Sequence, residues 1–498
     1  MQRGGRKTVP CMDNIDTLTI EEFGRRLRAR DLTAEQATDA CLRRIEEDNP
    51  RLNAFILVMA DSARQQARQA DRELAAGRDR GPLHGVPISI KDLIDVAGTP
   101  TTAASRVREG HAAAHDAPVI VALRDAGAVI VGKTNLHEFA FGTTNEESAF
   151  GPARNPYDVS RSPGGSSGGS AASVAAGMAL ATLGTDTGGS IRIPAAACGI
   201  VGLKPRHGEL STDGIVPLSR RLDHVGPLAR TVADAALVYY ALRGGISNPA
   251  TSGSHVVAHS WGPHVPSSWG PSSAGSKLPA PVPVSSLRLA VPRGYFCELL
   301  EDDVRARFDE AIDRLRAAGA RISDVNIRHA HLIPATYLHL VLADAATYHG
   351  ATLERMPERY TPAVRLRLEM GRYVLAEDFA RALEGREILR REVDSALAEH
   401  AALLLPSLPI AAPLIGAASV QVGNVTEPVR NLMLRLTQLF NVTGHPAIAL
   451  PAGRTRTGLP CSVQLVGGET DELLPVALAC EPQITGPAPP RSGGPGGG

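Results

Sequence analysis

Five short apolar runs recur along the chain, Val86 to Ile90, Ala128 to Val131, Met178 to Leu183, Leu287 to Val291 and Ala402 to Leu405. Each is bounded by Gly or Pro or by amphipathic sequence, and none holds more than one polar residue. Runs of that kind predict strands covered on both sides, which requires helices packed over a sheet, an α/β arrangement. The amphipathic sequence supplies such helices. Thr19 with Glu22 and Thr33 with Gln36 have capping-box spacing, and Ala37, Cys41, Leu42 and Ile45 form a stripe after the second cap. A helical N-terminal layer over residues 1–80 follows. Val304, Phe308, Ile312 and Leu315 also share one helix face, with Gly319 as a stop before the strand-like Arg321 to Val325.

Composition narrows the classes of function. The 498 residues are 43% hydrophobic, enough for a large core, and Lys+Arg 52 cancels Asp+Glu 52, so no net field gathers nucleic acid or an anionic membrane. No stretch reaches the ~20 apolar residues of a membrane helix, and the first residues, basic but without an apolar run, do not resemble a secretion signal. The six cysteines are scattered without a CxxC pair, which predicts reduced thiols and no metal. A cytoplasmic protein is the expectation. Two segments depart from the pattern. Residues 244–286 hold seven prolines, six glycines and one charged residue, Lys277, together with Trp261 and Trp269, and read as a flexible insertion; residues 485–498 read as a disordered tail.

Three glycine motifs compete for the chemistry. Gly127 to Thr134 fits the phosphate-loop pattern, yet its interior, Ala128-Val129-Ile130-Val131, is strand-like where a phosphate loop must present bare N–H groups. Gly164 to Gly168 fits the G-x-S-x-G elbow of α/β-hydrolase esterases, for which His224 or His445 would serve as base, but turn formers stand where the elbow needs a strand. The third is the whole run Gly164 to Ser190, with eight glycines in the 26 positions 164–189. These glycines alternate with a small-residue helix, Ala171 to Ala176, and with an apolar run, so they are not a linker. Packed glycine clusters let backbone approach a ligand closely. Ser190 at the end of such a loop, beside the N–H groups of Thr187, Gly188, Gly189 and Ser190, is what acyl transfer with an oxyanion hole needs. Lys91 closes the apolar run Val86 to Ile90, where loss of hydration favours the neutral amine and so a base near neutral pH.

The blocks GVPISIKD (Gly85 to Asp92), GKTNLHEFAFG (Gly132 to Gly142), GPARNPYDVSRSPGGSSGGSAA (Gly151 to Ala172), GTDTGGSIRIPAAACGIVGLKP (Gly184 to Pro205) and LDHVGPLARTVADAA (Leu222 to Ala236) resemble the amidase signature family. The likeness runs from about Leu18 to about Cys480 and omits the 244–286 insertion. It implies one large α/β domain, a central twisted mixed β-sheet with helices on both faces, whose signature core is 81–243 and whose remainder is 287–484. It further implies a Ser/cis-Ser/Lys triad: Ser190 as nucleophile, Ser166 as the bridging serine after a cis peptide, and Lys91 as base. Phe139, Ala140 and Phe141 would wall the substrate pocket, and Asp186 and Arg192 would brace the loop. Neither metal nor organic cofactor is implied. The expected partner is a small-molecule amide, with no nucleic acid, no membrane, and a monomer or homodimer.

The activity implied is hydrolysis of C–N bonds in small aryl or alkyl amides, chemically extensible to esters and to carbamates (urethanes). The alternative is the glutaminase component, or A subunit, of a glutamyl-tRNA amidotransferase. Leu432 to Asn441, LMLRLTQLFN, lacks the acidic and polar character of those subunits, and Arg206 stands where the family often has Thr.

Overall fold

The computed structural model describes residues 15–245 and 278–485. Thirteen strands form within them: β1 (Phe55–Val58), β2 (Pro87–Lys91), β3 (Val129–Thr134), β4 (Ala181–Asp186), β5 (Val201–Lys204), β6 (His224–Ala229), β7 (Arg288–Pro292), β8 (Arg321–Val325), β9 (Ala402–Pro406), β10 (Ser419–Val422), β11 (Val425–Pro428), β12 (Ala447–Arg454) and β13 (Pro460–Val466). Eleven join in one sheet, in the order β1-β3-β2-β4-β6-β5-β12-β13-β9-β7-β8, while β10 and β11 make a separate hairpin. The sheet is mixed: β2 runs parallel to β3 and β4, and β7 to β8 and β9, whereas β6, β5, β12 and β13 are joined antiparallel. Helices flank it, giving the α/β architecture the apolar runs predict.

All five runs lie on strands, β2, β3, β4, β7 and β9, and the first three of these are buried along their whole length. The Met178 to Leu183 run enters its strand late, at Ala181, because Gly177 and Met178 return to the helix Gly168–Ala175 by backbone hydrogen bonds. The N-terminal helices form as their caps predict. Thr19 Oγ1 accepts from Glu22 N–H, and Thr33 and Gln36 make the complete reciprocal capping box. The stripe Ala37, Cys41, Leu42 and Ile45 is buried. The helix Asp302–Ala317 buries Val304, Phe308, Ile312 and Leu315 and ends before Gly319, whose φ of 100° is open to glycine at little cost.

Gly127 to Thr134 is no phosphate loop. Residues 129–134 are strand β3, and the Lys133 ammonium is fully buried 2.9 Å from Asp92 Oδ1. Most of the predicted 244–286 insertion, both tryptophans included, and nearly all of the 485–498 tail lie outside the described residues; Gly244 and Gly245 close a helix from Val232, and Val284–Ser286 is a helical turn. The five described cysteines are free thiols. Among the described residues no helix is long and apolar enough to cross a membrane, and no group of three or more His, Cys, Asp and Glu side chains could hold a metal ion.

Candidate active site

Strand β2 lies between β3 and β4 and ends at Lys91, so that side chain leaves the sheet at its buried C-terminal edge. Nζ donates to Ser166 Oγ at 2.8 Å and to Thr185 Oγ1, on β4, at 2.8 Å. Burial pulls the Lys91 ammonium down to about 7, while the charges of Asp186 and Asp223 act to raise it. Half of the amine is then unprotonated near neutral pH, and the side-chain groups hydrogen-bonded to Nζ are hydroxyls rather than carboxylates.

Ser166 follows a cis peptide bond, Gly165-Ser166. Its carbonyl accepts from His137 N–H at 3.0 Å. Gly165 has no room for a side chain: a Cβ there would lie 2.8 Å from the backbone nitrogens of Thr144 and Asn145. The next residue, Ser167, donates its N–H to the Ser190 carbonyl at 3.3 Å, which joins the segment bearing Ser166 to the segment bearing Ser190.

Residues 187–190 form the turn after β4, and they carry the polar geometry of the site. Asp186, the last residue of β4, draws the N–H groups of Ile191 and Arg192 onto Oδ2 at 3.1 and 3.4 Å. Among the described residues no protein acceptor takes the N–H of Thr187, Gly188, Gly189 or Ser190. Four adjacent donors are thus left for an incoming oxygen, as an oxyanion site needs. Thr437 Oγ1 donates to the Gly188 carbonyl at 2.6 Å, and Gly189 has φ 138°, a conformation that L side chains rarely adopt. A Cβ on Gly188 would run into the Tyr337 hydroxyl.

A buried ion pair holds the turn from below. Arg192 Nε lies 3.1 Å from Asp186 Oδ2, both side chains are fully buried, and the guanidinium also reaches Gln464 Oε1 at 3.1 Å and Asn441 Oδ1 at 2.7 Å. Burial alone would raise the Asp186 carboxyl; Arg192, by charge and hydrogen bonds, outweighs it and holds the group well below the usual carboxylate range.

The expected pocket residues take different positions. Phe139, Ala140 and Phe141 are all buried, and Phe139 and Ala140 have positive φ of 50° and 58°. The Phe139 ring packs edge-on to His349, centroids 4.4 Å apart, and against Tyr360, so it belongs to an aromatic cluster. Phe141 is held by Arg367, which donates to its carbonyl at 2.7 Å. A cavity of about 320 Å³ opens beside Gly188, lined by Tyr337, Leu338, Arg430, Leu434 and Gln438 among others. None of these lining residues carries a local sequence signal; helical segments remote in the chain bring them to the site. Thr185 on β4 and Asp223 lie inside two of the blocks that carry the family resemblance, and Thr437 lies in the segment 432–441, but none of the three is given a role by the sequence.

The nominated esterase histidines are engaged elsewhere. His224 Nδ1 meets the Leu222 carbonyl at 2.7 Å and Nε2 meets Lys204 Nζ at 3.2 Å; His445 Nδ1 meets Thr443 Oγ1 and Nε2 meets Asp394 Oδ1, each at 2.9 Å. Neither bonds a serine, and the Ser166 hydroxyl is bonded to a lysine.

Residues 36–474 match the Amidase family. The chain belongs to the amidase signature family. It is 38% identical over 507 aligned positions to the A subunit of the glutamyl-tRNA(Gln) amidotransferase of Anaeromyxobacter sp. (strain K), covering 95% of this chain and 98% of that one. Among solved structures, a crystal structure of an amidase superimposes with TM-score 0.83 at 34% identity, over 94% of this chain and 100% of that chain. The corresponding A subunit from Thermotoga maritima superimposes with TM-score 0.72 at 32% identity, over 94% and 95%. The expected partner set, a small-molecule amide with no nucleic acid, no membrane and a monomer or homodimer, is corrected by the two amidotransferase relatives. Both align over nearly their whole length, and each is named as one subunit of an enzyme of glutamyl-tRNA. A neutral net charge excludes only a global field and carries no information about a local contact to another protein or to a nucleic acid.

Proposed function

We propose that this amidase hydrolyses carboxamide C–N bonds through an acyl-enzyme on Ser190. The observation that carries the reading is the Lys91 Nζ to Ser166 Oγ hydrogen bond of 2.8 Å at a lysine whose ammonium is weakened to about 7. Neutral Lys91 accepts a proton from Ser166 as Ser166 accepts one from Ser190, and the Ser190 oxygen attacks the amide carbonyl. The developing oxyanion is met by the free N–H groups of residues 187–190; one such donor contributes roughly 3 to 4 kcal/mol to the transition state. Ser166 then hands a proton from Lys91 to the departing amine, and water releases the acyl group by the reverse relay. Small aryl and alkyl amides are the substrates of this reading, with Tyr337, Leu434 and Arg430 beside the acyl site; esters and carbamates fit the same chemistry.

A second reading rests on a specific observation, the near-complete alignment with amidotransferase A subunits. Under it the amide is glutamine and the product passed on is ammonia. The sequence comparison, 38% identity to that A subunit against 34% to the amidase structure, favours this second reading, and the site geometry serves both.

The test is intact mass spectrometry after treatment with phenylmethanesulfonyl fluoride, followed by peptide mapping and turnover of a panel of anilides, aliphatic amides, esters, carbamates and glutamine. One adduct on Ser190 and loss of turnover in Ser190→Ala are expected. An adduct elsewhere, or full turnover by Ser190→Ala, removes the nucleophile assignment. Ammonia release from glutamine in preference to every other amide replaces the first reading by the second.

A further inference from the structure

The oxyanion turn is supported on three sides, and one support is ionisable. On one side Thr437 Oγ1 binds the Gly188 carbonyl. On the second, Tyr337 of the helix Ile333–Arg355 lies against Gly188. On the third, Thr187 Oγ1 donates to Asp223 Oδ1 at 2.6 Å, while Asp223 Oδ2 accepts the backbone N–H of Leu218 at 3.0 Å and of Ser219 at 3.1 Å. The carboxylate therefore closes its own turn, 218–223, and clamps Thr187 to it. That turn is anchored in its own right: Ser219 Oγ donates to Asp344 Oδ2 at 2.7 Å, and Asp344 lies on the same helix as Tyr337, seven residues and so two turns further on.

Several charged and titratable groups face Asp223. Lys91 approaches from β2 and attracts it; Asp186 closes the neighbouring strand β4; Arg221 and His224 flank it in sequence; Tyr337 and Asp344 face the site from the helix. Burial raises the Asp223 carboxyl to about 6 against the pull of Thr187, of the two N–H groups and of Lys91. Asp223 in turn acts to raise Lys91. No step of the relay described above uses it.

We propose that Asp223 is a positioning residue of the acyl-transfer site, its carboxylate fixing Thr187 and the oxyanion turn against Ser190 and its negative charge acting on Lys91 across the site. This rests on the Ser190, Ser166 and Lys91 reading. Two protons must then leave before the enzyme is active, one from Asp223 and one from Lys91, so the acid limb of activity falls with a limiting slope of two.

The experiment follows the rate of Ser190 sulfonylation and kcat/KM from pH 4.5 to 9 in wild type, Asp223→Asn and Thr187→Val. Asp223→Asn is expected to lower kcat about tenfold to a hundredfold, below the loss of an oxyanion donor itself, with little change in KM. Its acid limb should have a slope of one, and the remaining inflection should move to lower pH, because a carboxylate that favours protonated Lys91 is gone. Thr187→Val should lower kcat similarly and leave the Lys91 inflection in place, since the charge at Asp223 persists. A slope of two with an unmoved inflection in Asp223→Asn overturns the inference. So does an unchanged kcat in Thr187→Val, which decides the matter if Asp223→Asn does not fold. If wild-type Ser190 is not labelled at all, the failure belongs to the catalytic reading instead.

Discussion

Lys91 is the residue at which burial becomes chemistry. A lysine on a surface keeps its proton until about pH 10; at the closed end of β2 its ammonium is weakened to about 7. In the proposed relay the active form is the free base, so kcat/KM should rise with pH through about 7 and level off above it, as a pH-rate profile on any turned-over amide will record. Lys91→Met removes the base and should lower kcat by roughly 10² to 10⁴, the usual share of a positioned proton acceptor, while Lys91→Arg, which stays protonated, should do no better. Retention of the inflection near 7 in Lys91→Met would assign it to another group. Lys91 and Ser190, the base and nucleophile of the proposed relay, stand out in the sequence for a physical reason. A charged residue at the end of an apolar run and a serine at the end of a packed glycine loop are both local anomalies. Asp223 and Thr437 show no such anomaly. They reach the site only because the chain returns to it, Thr437 from 249 positions away.

At the scale of elements, the turn between β4 and the helix Arg192–Ala197 depends on what its glycines leave out. Gly188→Ala places a methyl group against the Tyr337 hydroxyl and Leu434. The turn, held at its other end by Asp186, must shift. A loss of roughly 10² to 10³ in kcat is expected, the size seen when an oxyanion donor is misplaced, with a melting temperature within a few degrees of wild type; Gly188→Ala at wild-type kcat would show that the turn does not bind the oxyanion. Strands divide in the same way between legible and illegible. The runs on β2, β3 and β9 announce themselves, whereas β6, HVGPLA, carries a glycine and a proline in the middle of the sheet. Proline is tolerated there because β5 pairs only with Leu228 and Ala229, so the ladder on that side has ended before Pro227. Phe139, which the resemblance implies as a pocket wall, packs its ring against His349 and Tyr360, contacts that no local pattern announces.

Across the whole molecule, Arg192 connects parts of the chain that are hundreds of residues apart. From one helix it reaches Asp186 at the end of β4, Gln464 on β13 and Asn441. A buried ion pair is a weak source of net stability but a strong constraint once built, because removing one partner strands the other's charge. Arg192→Met should therefore destabilise the protein at pH 7 by about 3 to 5 kcal/mol, measured by urea unfolding. The pH dependence identifies the cause. Asp186 has a folded-state carboxyl held below its ordinary value of 3.8, so in the wild type its contribution is present above that value and is lost only as the pH falls through the depressed one. In Arg192→Met the guanidinium is gone, burial raises the Asp186 carboxyl instead, and protonation relieves the stranded charge. The gap between variant and wild type should narrow as the pH is lowered from 7 towards 4, and Asp186→Asn in the Arg192→Met background should recover part of it at pH 7. A gap independent of pH would mean that Arg192 acts through packing and not by neutralising Asp186.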